Sequence, residues 1–218
     1  MKVMVKCFLA VVFVAIFAVN SPAEAVRGNL DCEFQVKKLV YRQYSGGRFN
    51  HSMYYANIND CKTLIILCHG GVRNGTYGVI INGEFRTDYS NAVSELISHY
   101  DAQGKFNSIN GVDIVLLGTC HAGYASSIIL PQYAKLPKYG IPLVTVIDYK
   151  GKLFFKEFSG SNGRVSLRLY TDKTYKEPAS RHSTAMANFF GGSNVRGYRA
   201  VGELGEIPDD AVELADDF

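Results

Sequence analysis

Three segments of the chain are apolar at nearly consecutive positions and too short for long helices: Thr63–Cys68 (TLIILC), Val112–Leu117 (VDIVLL) and Ile141–Ile147 (IPLVTVI). Runs of this length, rich in β-branched residues, predict strands covered on both faces, the pattern of parallel sheets. Between the first two the period changes. Ala92, Val93, Leu96, Ile97 and Tyr100 recur at steps of three and four, behind Ser90 and ahead of Gly104. That spacing predicts a helix with an apolar stripe. Ala122–Leu130 reads as a second helix, stopped by Pro131. Strand, helix, strand, helix, strand predicts an α/β domain with parallel strands.

Outside this middle the patterning is closer to period two. Phe34–Tyr41 is expected to be a strand. Tyr77–Ile81 and Glu84–Arg86 flank Asn82-Gly83, a two-residue hairpin turn, and Leu153–Phe158 and Val165–Tyr170 flank Ser159–Gly163, a second hairpin. Residues 42–60, rich in Gly, Asn, Ser and Tyr, are expected to form an exposed loop. Ser180–Phe190 is expected to be helical. Residues 203–218 carry seven acidic side chains and read as a solvated tail.

The start of the chain carries a different signal. Lys2 and Lys6 precede an apolar run, Cys7–Val19, and Ala23-Glu24-Ala25 gives a small-x-small site. Residues 1–25 are therefore expected to be a cleaved signal peptide, because the run is shorter than the roughly 20 residues that span a bilayer. The expected location is secreted or periplasmic, with no membrane contact after cleavage. Residues 26–202 would form one domain. The whole chain has 23 basic and 20 acidic residues and a net charge of +3, which gives no drive toward nucleic acid. At 47% hydrophobic it is composed like a globular protein, which excludes collagen-like and largely disordered classes.

Four cysteines follow the leader. Cys32 and Cys61 lie in polar surroundings, LDCEF and NDCKT, and are the expected disulfide pair. Cys68 and Cys120 instead end apolar runs. Cys120 sits where a strand gives way to a helix, a place that exposes a thiol and lowers its pKa through backbone N–H groups. His69-Gly70 ends the other run, 51 residues earlier. A histidine there can protonate a leaving amine, and the N–H of Gly70 can face a developing oxyanion. No histidine, cysteine and carboxylate cluster has metal-ligand spacing, so no metal or other cofactor is expected. His51, His99 and His182 read as surface or capping residues.

LIILCHGG at Leu64–Gly71 and DIVLLGTCHAG at Asp113–Gly123 resemble the two catalytic elements of caspase-like cysteine peptidases. Cys120-His121-Ala122-Gly123 is similar to the cysteine-histidine-serine-glycine of metacaspases. The resemblance implies a three-layer α/β sandwich with a mostly parallel central sheet plus β-hairpins. It implies a cysteine endopeptidase with His69 and Cys120 as catalytic dyad and the N–H groups of Gly70 and Cys120 as oxyanion hole. Peptides or proteins would be its substrates. Gly118-Thr119 stands where metacaspases usually have an acidic residue, so the motif implies no calcium requirement. A pocket for a basic residue would need a carboxylate, for which Asp148 and Asp60 are candidates, each equally readable as a turn or cap residue. If the strand of Cys68 lies beside that of Cys120, a Cys68–Cys120 disulfide would switch the enzyme off. Two other readings remain open on the residues alone. One is an α/β-hydrolase with Cys120, Asp148 and His182 as triad. The other is a binding domain without activity.

Overall fold

A computed structural model describes residues 31–121, 143–146, 151–160, 165–172, 194–195, 198–201 and 206–214. The strands are β1 (Asp31–Gln43), β2 (Phe49–Ile58), β3 (Cys61–Arg73), β4 (Thr76–Ile81), β5 (Glu84–Arg86), β6 (Ile114–Gly118), β7 (Leu143–Val146), β8 (Leu153–Ser159), β9 (Val165–Thr171), β10 (Asn194–Val195), β11 (Tyr198–Val201) and β12 (Val212–Glu213). One helix, α1 (Tyr89–Ala102), lies between β5 and β6. The main path of the sheet runs β12-β8-β9-β1-β2-β3-β4-β5, with β6 and β7 branching from β3 and β11 and β10 from β1.

The sheet is mostly antiparallel and curls into a half-barrel, which overturns the expected α/β sandwich with a mostly parallel sheet. Among the described pairings only β3–β6 and β6–β7 are parallel. The three apolar runs do form this parallel core, and Leu153–Ser159 and Val165–Thr171 do form a hairpin. What the apolar runs do not report is the chain around them. Three turns, Asn59-Asp60, Asn74-Gly75 and Asn82-Gly83, have positive φ at both residues. Such turns match the twist of paired strands and fold β2, β3, β4 and β5 into successive antiparallel neighbours.

Residues 49–58, expected in an exposed loop, are instead a buried strand. β2 lies between β1 and β3, and its buried histidine has partners on both ring nitrogens. The imidazole of His51, only 1% exposed, lies 2.9 Å from Asn50 Oδ1 and 2.7 Å from the Tyr100 hydroxyl of α1. His51 is therefore a core residue and not the surface residue expected, whereas His99 is exposed.

Alternation along β3 divides the core in two. Leu64, Ile66 and Cys68 face α1, where they meet Val93, Leu96, Ile97 and Tyr100. Ile65 and Leu67 face the opposite way, toward Phe34, Phe155, Leu167 and Leu169 of β1, β8 and β9. β6 does the same with Val115 and Leu117 on the first side and Leu116 on the second. β1 serves both halves: its first residues pair with β9 and its later ones with β2, with register shifts near Lys38 and Arg42 where it bends.

Burial holds the His51 imidazole at about 4, with Arg42 and His99 adding to the depression. The unfolded chain binds this proton between pH 6.5 and 4 and the folded chain does not, so stability falls as pH drops through that window. Between pH 7 and pH 5 the wild type should lose about 2 kcal/mol more than His51→Gln, measured by urea unfolding. Identical pH slopes for the two proteins would contradict a neutral buried imidazole.

Candidate active site

β3 and β6 run parallel, with Thr63 paired to Ile114 and Leu67 to Gly118. Counted on by two residues, that register sets His69 level with Cys120, where β6 has ended and β3 runs on to Arg73. At His69, β4 takes over as the partner of β3, Ile80 facing His69. The end of β6 is nevertheless pressed against β3. A Cβ on Gly70 would lie 1.8 Å from Thr119 Oγ1 and 2.8 Å from the Cys120 carbonyl oxygen. Only a residue without a side chain permits that approach. Immediately after Cys120, His121 takes a positive φ of 59°, and its N–H donates to the Gly151 carbonyl at 2.9 Å. The chain thus leaves the sheet by a sharp turn.

His69 and Cys120 belong to the same face of the sheet. Cys120 lies in the core half that holds Ile65, Leu67, Phe49 and Phe155. The His69 ring meets Phe49 edge-on, centroids 5.5 Å apart, and Phe49 packs on Phe155 at 4.9 Å. His69 Nε2 lies 2.8 Å from the Phe49 carbonyl oxygen. A carbonyl only accepts, so Nε2 carries the hydrogen and Nδ1 keeps the lone pair. The imidazole is half-buried and held in one orientation by its backbone partner.

Cys120 is fully buried. Its Sγ accepts from the Leu153 N–H at 2.9 Å and faces the Leu153 carbonyl at 3.4 Å. Burial pushes the thiol up to about 12, against the pull of the Leu153 and Leu214 amides. In this conformation Cys120 is a thiol, not a thiolate. The expectation of an exposed, activated cysteine is not met, because β8 and β12 cover it. The N–H of Gly70 is engaged as well, donating to the Leu214 carbonyl at 3.1 Å.

Of the other sequence-derived candidates, only Asp60 and the cysteines lie among the described residues. Asp60 is an exposed residue of the β2–β3 turn, with φ 66°. It sits at the far end of β3, nine residues or roughly 30 Å from His69, and cannot share a pocket with it. Asp148, His182 and the leader 1–25 lie outside the described residues, as do the expected helices 122–130 and 180–190. Cys32 and Cys61 are not joined to each other; both are buried, and Cys32 lies in an apolar cluster that its polar neighbours in sequence did not reveal. Cys68 and Cys120 project to opposite sides of the sheet, which excludes the switching disulfide. Among the described residues no group of three His, Cys, Asp or Glu is placed to hold a metal ion, and no helix is long and apolar enough to cross a membrane.

Sequence reading missed Phe49, Leu153 and Leu214. Phe49 sat in the expected loop. Leu214 sat in the expected solvated tail, although Val212 and Leu214 alternate with acidic residues as an edge strand does. The chain matches no family model, no curated protein and no solved structure.

Gly70→Ala tests how tightly the strand ends meet. The added methyl group would displace Thr119 and the backbone of Cys120, and should lower unfolding stability by about 2–3 kcal/mol. Removing the threonine oxygen with Thr119→Ala should restore only part of this, because the Cys120 carbonyl remains. An unchanged urea midpoint in Gly70→Ala would show that the two ends are not in contact.

Proposed function

We propose that the protein is a cysteine peptidase whose nucleophile is Cys120 and whose acid–base group is His69, held latent in the conformation described. The observation that carries this reading is the shared level and face of the two residues where the end of β6 touches β3. A thiol and an imidazole on one rim of a rigid sheet are the minimum needed for acyl transfer through a thioester.

The steps follow from the residues. Cys120 passes its thiol proton to Nδ1 of His69, and Sγ attacks the carbonyl carbon of a peptide bond. The N–H of Gly70, freed from Leu214, stabilises the oxygen that becomes negative. Protonated His69 delivers a proton from Nδ1 to the departing amine, while its Nε2–H stays on the Phe49 carbonyl. Water then attacks the thioester, the new carboxylate leaves, and Sγ regains a proton. The present burial of Sγ accounts for latency: with the thiol near 12, only a minute fraction is thiolate at neutral pH.

The mostly antiparallel sheet removes the frame of the α/β-hydrolase alternative as it removes that of the caspase-like sandwich, and the reading kept here rests on the thiol and imidazole alone. The remaining alternative, a binding domain without activity, makes the opposite prediction for the thiol.

The full chain, reduced and supplied with a mixed peptide library, should cleave peptide bonds. Cys120→Ala and His69→Ala should each reduce cleavage at least about a hundredfold while circular dichroism and the melting temperature stay close to wild type. Undiminished cleavage in Cys120→Ala would rule the reading out. So would no cleavage by wild-type protein, both as prepared and in a urea concentration just below its unfolding transition.

A further inference from the structure

The segment that covers the site has the shape of a bound peptide. β12 adds to the edge of β8 in antiparallel register, Val212 opposite Phe155 and Glu213 opposite Phe154, and the Leu214 N–H continues the ladder to the Leu153 carbonyl at 2.9 Å. The main chain of residues 212–214 is therefore extended and held through its backbone, as a strand added to a sheet edge is held. Its last described residue, Leu214, lies against two of the three groups the proposed chemistry uses, Gly70 and Cys120. The Leu214 carbonyl accepts from the Gly70 N–H, the donor assigned to the oxyanion. The Leu214 amide faces the Cys120 thiol. The Leu214 side chain is fully buried, in the core half that also contains Phe49, Leu153 and Phe155.

We propose that Ala211–Leu214 is a resident occupant of the substrate groove, and that the groove takes an extended peptide with a leucine-like side chain directly before the bond to be cut. This rests on the cysteine-peptidase reading and names its substrate class. The carbonyl held by Gly70 marks which residue precedes the cleaved bond, and the apolar seat of Leu214 marks what side chain that residue carries. It replaces the basic-residue pocket expected from Asp60 and Asp148. A lysine side chain in the same seat would bring an uncompensated charge into an apolar cluster.

The hold on the segment is thin. β12 is two residues long. Apart from Leu214 it is secured at the surface by two ion pairs, Lys152 to Glu213 and Lys156 to Asp210, each 2.5 Å. Both pairs are partly exposed and weaken with salt. An incoming peptide that supplies the same backbone ladder and the same side chain can displace the segment without any change in the rest of the sheet. Asp210 and Glu213 thus serve to dock the segment on β8 rather than only to solvate it.

The test compares the full-length wild type with Leu214→Glu and with the double variant Lys152→Ala, Lys156→Ala, each also carrying Cys120→Ala as a blank. Two quantities are measured: the rate of Cys120 alkylation by iodoacetamide, and cleavage of Ala-Val-Glu-Leu and Ala-Val-Glu-Lys aminocoumarin amides. Both variants should raise alkylation and cleavage of the leucine substrate about tenfold, and salt near 0.5 M should move the wild type the same way. The leucine substrate should be preferred to the lysine one by at least about tenfold. The lysine double variant leaves the core intact, so it decides the matter alone if Leu214→Glu fails to fold. Cleavage that is present but unchanged in the double variant overturns the occupant and leaves the peptidase reading standing. A preference for lysine overturns the assignment of the seat. Absence of cleavage in every protein, with Cys120 open to alkylation, removes the peptidase reading and this inference together.

Discussion

The missing side chain at Gly70 is the constraint on which the rest of the site depends. β3 and β6 belong to the two-sided core, and at its rim their ends must come close enough for backbone to meet backbone. A methyl group at residue 70 has no room beside Thr119 and Cys120. The same bareness leaves the Gly70 N–H pointing at whatever carbonyl lies over Cys120, which here is that of Leu214. Close packing and donor placement are thus one requirement, satisfied by one residue. Tyr77 braces the arrangement from β4, its hydroxyl donating to Thr119 Oγ1 at 3.3 Å.

Around that point the protein separates two kinds of burial. On one side the buried His51 is held between Asn50 and Tyr100 of α1, and Asn50 is tied in turn to Asn82. On the other side Cys120 has only backbone partners from β8 and β12 and an otherwise apolar setting. The first arrangement fixes a neutral imidazole as structure. The second stores a thiol whose reactivity is governed by what lies over it, since moving β12 changes its solvation, its hydrogen bonds and its access at once. Chemistry and cover are therefore coupled through a single sulfur atom.

Much of the local structure was legible in the sequence, and the reasons for the misses are physical. Leu64–Leu67 and Ile114–Leu117 announce buried strands because both their faces are apolar, and they are. Ala92 through Tyr100 announce a helix by spacing, and α1 follows. Asn82-Gly83 announces a hairpin by its turn chemistry. Asn59-Asp60 and Asn74-Gly75 carry the same chemistry, yet one lies beside polar residues and the other just past a glycine pair, so the antiparallel strands they join were not apparent. β2 was missed because His51 and Tyr54 find partners on α1 and β8 that no local pattern discloses. The pairing of His69 with Cys120 at one level was legible, because it follows from two apolar runs that end in the same way. Burial of the thiol was not, because it depends on Leu153 and Leu214, 33 and 94 residues farther along.

The turns also set an order on assembly. β2 to β5 pair across two-residue connections, whose ends are never far apart, so little chain entropy is lost in bringing them together. β6 reaches β3 only across a helix, and the bond from Gly70 to Leu214 closes a loop of more than a hundred residues. Short closures form on far quicker timescales than long ones. The hairpin ribbon can therefore exist as a template before the parallel strands join it, and β12 is the last piece with anything to join. Until the last of these closures is made, Cys120 lacks the cover that Leu214 gives it.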